Sequence, residues 1–328
     1  MSEILKDRFN RRFTYLRLSI TDICNFRCTY CLPNGYKKIK QQNDFLSLNE
    51  IRNLISAFAT LGLKKVRITG GEPLIRHDLE DIISTLNNFP DLETIALSTN
   101  GFNLKKRIDK LYSAGLRAVN VSIDSLDPEV FSKITGRNQL SNVLEGIERA
   151  IEIGVPKIKL NSVLMKNTTP ETLKPFLNYI KKRAVSIRFI ELMENGTNKS
   201  LFEREHVSGE NLYQYLIQDG WNEISRRSTD GPARVLYHQD YEGTIGFILP
   251  YSSDFCSNCN RLRITATGQL RLCLFSNGGF DLRTLLKSAG QHDELIDFIK
   301  EKLVLKKYSH NLPYRITGDN KNFAQMGG

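Results

Sequence analysis

Apolar and polar residues alternate one by one in six short runs, near residues 15–21, 64–70, 94–99, 118–124, 157–164 and 185–192. A period of two is the mark of a strand with two different faces. In the first run Leu16, Leu18 and Ile20 share one face, and Arg17, Ser19 and Thr21 the other. Val66 and Ile68 oppose Arg67 and Thr69, and Ile95 and Leu97 oppose Ala96 and Ser98. Val119, Val121 and Ile123 then oppose Asn120, Ser122 and Asp124. In the last two runs Ile158 and Leu160 oppose Lys159 and Asn161, while Ile187 and Phe189 oppose Arg188.

Helical spacing fills the intervals. Ser47 and Glu50 form a capping-box pair, Ile51, Leu54, Ile55 and Phe58 then fall on one face, and Gly62 is a stop signal. Leu79, Ile82, Ile83 and Leu86 precede Pro90, and Val143, Ile147 and Ile151 precede Gly154. Six strands alternating with helices imply parallel pairing, in a barrel or in an open doubly wound sheet. After about residue 195 the sequence becomes mixed and less regular, which places a domain boundary near 200.

The apolar strand faces must meet the helices, so the polar faces point into the barrel. Arg17, Arg67, Lys159 and Arg188 cannot all be buried there unpaired without a large desolvation penalty. The interior is therefore expected to be a wet cavity that holds an anion. A flatter sheet with one solvated face suits antiparallel strands better than parallel ones.

The chain has 328 residues, 40% of them hydrophobic, enough to bury the core of one large domain or two smaller ones. No apolar run reaches membrane-spanning length, and Met1 to Arg12 lacks the apolar stretch of a signal peptide, so a cytoplasmic protein without a membrane partner is expected. The formal charge of +10 favours a polyanionic partner.

Six cysteines fall into two trios, Cys24, Cys28, Cys31 and Cys256, Cys259, Cys273. In a reducing compartment such groups point to metal rather than to disulfides. The first trio has the spacing C-x3-C-x2-C directly after the first strand. A structural zinc wants four closed ligands, whereas three thiolates suit a 4Fe-4S cluster with one iron left open. This loop resembles the signature of the radical S-adenosylmethionine enzymes, and Thr69-Gly70-Gly71-Glu72-Pro73 resembles their second signature. Adjacent glycines let the backbone approach a ligand closely.

The second trio, C-x2-C-x13-C, fits zinc if His238 or His292 supplies a fourth ligand. The surrounding sequence from Phe255 to Arg263 and from Leu270 to Phe275 instead resembles the C-terminal cluster segment of the GTP 3′,8-cyclases, which begin molybdenum cofactor biosynthesis. The resemblance runs from Tyr15 to Gly328 and includes the terminal Gly327-Gly328. It implies an α/β fold, an incomplete (βα)6 TIM-like barrel over residues 1–200 whose opening is covered by a C-terminal cluster-binding domain, 201–328. It also implies two 4Fe-4S clusters, one on each cysteine trio, with S-adenosylmethionine on the first and the guanine of GTP on the second.

By position, the resemblance assigns Tyr30, Gly71, Ser122 and Met193 to S-adenosylmethionine. It assigns Arg17, Arg67, Ser98, Lys159, Arg261 and Arg263 to GTP, with Arg188 as a further contact. Arg17, Arg261, Arg263, Gly327 and Gly328 are the implied catalytic set. Ile23, Leu32, Ser98 and Met326 depart from the residues usual in the family, and none removes a ligand or a charge.

The implied activity is removal of hydrogen from the ribose 3′ carbon of GTP by a 5′-deoxyadenosyl radical, followed by bond formation to guanine C8. The product is 3′,8-cyclo-7,8-dihydro-GTP. No G-x4-G-K-[ST] loop is present, so side chains must hold the triphosphate. Implied partners are an electron donor such as flavodoxin or ferredoxin and a downstream cyclic pyranopterin monophosphate synthase. No nucleic acid is expected, and the chain is taken as a monomer or homodimer. The alternatives are a radical S-adenosylmethionine enzyme modifying tRNA or a peptide, which would spread its basic residues over an outer face, and a non-catalytic zinc or electron-transfer module.

Overall fold

Each of the six alternating runs is a strand: β1 (Tyr15–Ser19), β2 (Lys65–Thr69), β3 (Thr94–Thr99), β4 (Ala118–Ser122), β5 (Lys157–Leu164) and β6 (Ser186–Glu191). The structure is a computed structural model that describes residues 4–37, 45–225, 230–319 and 323–326. Between the strands lie α1 (Leu48–Thr60), α2 (Leu79–Asn87), α3 (Leu104–Ala114), α4 (Pro128–Thr135), α5 (Leu140–Glu152) and α6 (Pro170–Ile180). The remainder contributes α7 (Lys199–Glu205), α8 (Glu210–Gln218), β7 (Asn222–Ile224), β8 (Arg234–Tyr237), β9 (Thr244–Ile248), β10 (Arg261–Ile264), β11 (Gln269–Arg271), β12 (Phe280–Asp281) and α9 (His292–Leu303).

Local chemistry sets the element ends. The Ser47 hydroxyl accepts from the Glu50 amide, and Glu50 Oε2 accepts from the Ser47 amide at 2.8 Å, which closes the capping box of α1. Beyond the same helix Gly62 takes a φ of 80°, which side chains disfavour. Ile51, Leu54, Ile55 and Phe58 are buried, as the spacing requires. On the strands Leu16, Leu18, Val66, Ile68, Leu97, Val119, Leu160 and Phe189 belong to the main core. Burying each such side chain stabilises the fold by about 1.5–3 kcal/mol.

One sheet runs through the molecule in the order β12-β11-β10-β1-β2-β3-β4-β5-β6-β9-β8-β7. β1 to β6 are parallel neighbours. β10 adds parallel to β1 and β9 parallel to β6, while the outer strands are antiparallel. The sheet order is open, so the barrel is incomplete. The irregular C-terminal sequence extends both edges of the sheet, and its loop residues Phe255, Cys256, Cys259, Cys273, Lys306 and His310 line the cavity on the sheet's polar face.

Candidate active site

A cavity of about 300 Å³ opens at the concave, polar face of the sheet. Strand pairing sets a row of cations across it. Arg263 on β10 pairs with Arg17 on β1, and Arg17 pairs with Arg67 on β2. One step earlier Arg261, Tyr15 and Lys65 form a second row. Neighbouring strands lie about 4.8 Å apart, so these like charges are held close without a carboxylate among the residues of either row. Arg67 is 3% exposed; its Nε donates to the Tyr15 hydroxyl at 2.6 Å and its NH1 to Ser98 Oγ at 3.3 Å.

The cations reset one another. Burial opposes ionisation of the Tyr15 phenol, but Arg67, Arg17 and Lys65 outweigh it and bring its pKa down to about 6. Burial and then the charges of Arg188, Arg67 and Lys65 push Lys159 down to about 6. Burial lowers Arg17 to about 10, with Arg67 and Arg261 acting in the same direction against Tyr15. Burial, joined by Arg17 and Arg261, also holds Arg263 well below the ordinary guanidinium range. A cavity that strains its own cations in this way is built to receive an anion.

The first cysteine loop follows β1 and is pinned from two sides. Arg27 and Thr29 amides donate to the Thr135 and Ile134 carbonyls at the end of α4. The Gly70-Gly71 turn lies against the stretch entering the loop, with Gly71 N on Thr21 O and Glu72 N on Ile23 O, both at 2.8 Å. A Cβ at Gly71 would stand 2.2 Å from the Ile23 carbonyl oxygen, so only glycine allows the approach. Glu72, 1% exposed, accepts from Thr99 Oγ1 at 2.7 Å and from the Asn100 amide at 2.6 Å. Burial nevertheless pushes its pKa up to about 7. Asn100 Nδ2 donates to Asn25 Oδ1 at 2.7 Å and reaches Cys24 Sγ at 3.9 Å.

Tyr30 and Met193 are tied together through Asn198, whose Nδ2 donates to the Tyr30 carbonyl at 3.2 Å and the Met193 carbonyl at 3.0 Å. The Tyr30 hydroxyl donates to Asp124 Oδ2 at 2.9 Å. The second loop is fixed by Arg11, whose guanidinium donates to the carbonyls of Cys256, Lys307 and Tyr308 and is held by buried Asp7. Lys306 donates to the Leu272 carbonyl beside the same trio.

The donor sets fit iron–sulfur clusters. All six thiols are free and half-buried, and all line the one cavity. Burial pushes Cys24 up to about 11 and Cys31 to about 12, and raises Cys28 well above the ordinary thiol range. Such thiols ionise when a cationic centre takes them up. Burial also raises Cys256. At Cys259 burial acts upward, but Lys306, Arg261 and Arg11 overcome it and bring the thiol to about 7.

Among the described residues no three His, Cys, Asp or Glu side chains converge on a single metal-ion position. A polynuclear cluster, in which each thiolate meets a different iron, needs no such single convergence point. The two histidines of the zinc alternative lie elsewhere, His238 against Trp221 and Tyr241 and His292 beside Thr60 and Asp293, whereas His310 does line the cavity, its Nε2 buried and unbonded among the described residues. Polar atoms wait there without partners, with Asn120 Oδ1, Asn161 Oδ1 and Arg188 Nε buried and unbonded among the described residues.

The cavity brings together Arg17, Arg67, Ser98, Arg188, Arg261 and Arg263 from the expected substrate set, and Tyr30, Gly71, Ser122 and Met193 from the expected S-adenosylmethionine set. Lys159 on β5 feels the charges of Arg188, Arg67 and Lys65 but is not among the residues that line the cavity. Gly327 and Gly328 lie outside the described residues. Tyr15 and Lys65 line the cavity and escaped the sequence reading, although they share the face of Arg17 and Arg67. Asn161 and Asn120 were visible on the polar faces but carried no charge to single them out. Arg11 and His310 had no sequence signal at all.

Comparison with known proteins places this geometry. The family described as Radical SAM superfamily matches residues 18–180, and Molybdenum Cofactor Synthesis C matches residues 185–312. The chain is 47% identical to the GTP 3′,8-cyclase of Vibrio atlanticus (strain LGP32), covering 100% of this chain and 98% of that protein. It is 49% identical to the GTP 3′,8-cyclase of Yersinia pestis, covering 99% of each. Among solved structures, Streptococcus suis SuiB bound to S-adenosylmethionine superposes with a TM-score of 0.62 at 13% identity, over 98% of this chain and 78% of that one, a likeness of fold alone. The chain belongs to the GTP 3′,8-cyclase family, and is a radical S-adenosylmethionine enzyme of molybdenum cofactor biosynthesis that works with 4Fe-4S iron–sulfur chemistry and S-adenosylmethionine.

Proposed function

We propose that the chain converts GTP to (8S)-3′,8-cyclo-7,8-dihydroguanosine 5′-triphosphate, the first step of molybdenum cofactor biosynthesis. The observation that carries this reading is the cation row Arg263–Arg17–Arg67 in one cavity with both cysteine trios. Cys24, Cys28 and Cys31 would hold one 4Fe-4S cluster and Cys256, Cys259 and Cys273 a second. Bound there, the clusters supply an electron to cleave S-adenosylmethionine and an open iron for the guanine base.

The chain's own residues bind and orient. Arg17, Arg67, Arg188, Arg261, Arg263 and Lys65 receive the triphosphate, guanidinium being suited by its forked donors and permanent charge. At about 1.5–3 kcal/mol per charge-assisted hydrogen bond, four of them give roughly 6–12 kcal/mol. Micromolar affinity needs about 8 kcal/mol, so the set suffices before ordering costs. Ser98 adds a hydroxyl at the same depth, and Lys159, lowered to about 6 by burial and its cationic neighbours, gains its charge as the anion binds. Tyr30, Gly71, Ser122 and Met193 form the S-adenosylmethionine side, with Gly70-Gly71 exposing backbone to the ligand. The C-terminal loops that line the cavity exclude water while hydrogen leaves C3′ and the C3′–C8 bond forms. Gly327 and Gly328 complete the catalytic set with Arg17, Arg261 and Arg263.

An electron donor such as flavodoxin or ferredoxin would serve the first cluster, and a cyclic pyranopterin monophosphate synthase would take the product. The setting is the cytoplasm, as monomer or homodimer. Among the described residues no helix is long and apolar enough to cross a membrane. The test is anaerobic reconstitution, then incubation with GTP, S-adenosylmethionine and a reductant. The cyclised nucleotide is expected, and unconsumed GTP beside cleaved S-adenosylmethionine would overturn the reading.

A further inference from the structure

Close to its C-terminus the chain passes between the two cysteine loops. Phe323 and Ala324 are 7% and 5% exposed and line the cavity. Phe323 belongs to a small apolar cluster of its own with Leu274, Phe275 and Leu312, separate from the main core. Packed against that cluster are Cys31 from the first trio, Cys273 from the second, and Met193. One thiol of each trio thus rests on the same few side chains. The backbone N–H groups of Phe323 and Ala324 lie within hydrogen-bonding reach of the Cys31 sulfur, which packs against the same cluster.

Hydrogen bonds to a cluster's sulfurs stabilise its more negative, reduced form and so raise its reduction potential. We propose that the Phe323–Ala324 segment is a positioning element that joins the two cysteine loops, and that its two amide donors to Cys31 raise the potential of the cluster held by Cys24, Cys28 and Cys31. The inference rests on the reading that those three thiolates hold a cluster. Phe323 supplies the anchor and the backbone supplies the electrostatics. Seating of the C-terminal segment and ease of loading the electron are thereby the same event, so an enzyme whose cavity is not closed is harder to reduce.

The experiment uses full-length, anaerobically reconstituted protein and follows reduction of each cluster by electron paramagnetic resonance in a redox titration. Ala324→Pro removes one donor; Ala324 opens a 3₁₀ turn (Ala324–Met326), where the fixed φ of proline is accommodated. Phe323→Ala removes the anchor, and Phe323→Leu restores an apolar one. Ala324→Pro and Phe323→Ala are expected to move the midpoint of the first cluster to a more negative value, with Phe323→Leu close to wild type. In Ala324→Pro the second cluster serves as an unshifted internal reference. A wild-type midpoint in Ala324→Pro at full iron content would overturn the proposal.

Wild-type protein that takes up no iron at Cys24, Cys28 and Cys31 would instead overturn the cluster assignment beneath it. Amide hydrogen exchange of the wild-type holoenzyme gives a reading that needs no variant. Slow exchange at residues 323 and 324 is expected, and exchange as fast as an exposed chain end would also overturn the proposal.

Discussion

Arg17 and Arg263 stand side by side on neighbouring parallel strands, although they come from opposite ends of the chain. The pairing of β10 with β1 makes one phosphate-sized target out of two distant segments. With Arg67 on the far side of Arg17, three guanidinium groups share a row.

The first prediction follows from that row. Arg17→Ala and Arg263→Ala each remove one charge-assisted partner of the triphosphate, worth about 1.5–3 kcal/mol, or roughly 10- to 150-fold in affinity. Iron content is expected to stay at the wild-type value while GTP binding, read by calorimetry, weakens by that factor and product is lost. Normal GTP affinity in both variants would contradict the site.

Much of this arrangement was legible in the sequence. The alternation in β1 to β6 placed Arg17, Arg67, Ser98 and Arg188 on one face because parallel strands flanked by helices leave no other place for a polar face. The same parity put Lys159 on that face, but parity does not fix depth, and Lys159 is not among the residues that line the cavity. Tyr15 and Lys65 lie at strand starts, where a sequence gives no depth either. The pairing of β10 with β1 is a contact between distant segments and has no local signature. The hook of Asp7 and Arg11 is invisible for another reason: its donors serve backbone carbonyls, which every residue carries.

The second prediction concerns protons. Near pH 8 the Tyr15 phenol, brought to about 6, is ionised, and Lys159, also near 6, is neutral. A polyanion bound among Arg17, Arg67, Lys65 and Arg188 favours the neutral phenol and the charged ammonium, so binding takes up protons. Affinity for GTP must then fall as pH rises above about 6. Calorimetry at pH 8 in two buffers of different ionisation enthalpy is expected to report net proton uptake. Net release would contradict the charge assignment.

The third prediction concerns the hook. Arg11 and Asp7 form a buried pair, with side chains 6% and 0% exposed. Arg11→Ala leaves the Asp7 carboxylate buried alone and frees the Cys256 carbonyl, a loss of about 3–5 kcal/mol. A markedly lower denaturation midpoint is expected, together with lower iron occupancy of the second trio. A variant with wild-type stability and full iron would show the hook to be incidental.

The fourth prediction separates the trios. Cys256→Ala is expected to lower iron from about eight to about four per chain, leaving the spectrum of the first cluster and cleavage of S-adenosylmethionine in place while abolishing cyclised product. Loss of all iron would mean that the two sites do not load independently.

On the proposed assignment each cysteine trio leaves one iron open to the shared cavity. The most direct measurement is electron–nuclear double resonance on the reduced enzyme, with nitrogen-labelled S-adenosylmethionine or nitrogen-labelled GTP added to protein of natural isotope content. Coupling of the methionine amino nitrogen to the cluster of Cys24, Cys28 and Cys31 is expected, and coupling of a guanine nitrogen to the cluster of Cys256, Cys259 and Cys273. A protein nitrogen coupled at either cluster, unchanged when the labelled ligands are added, would contradict it.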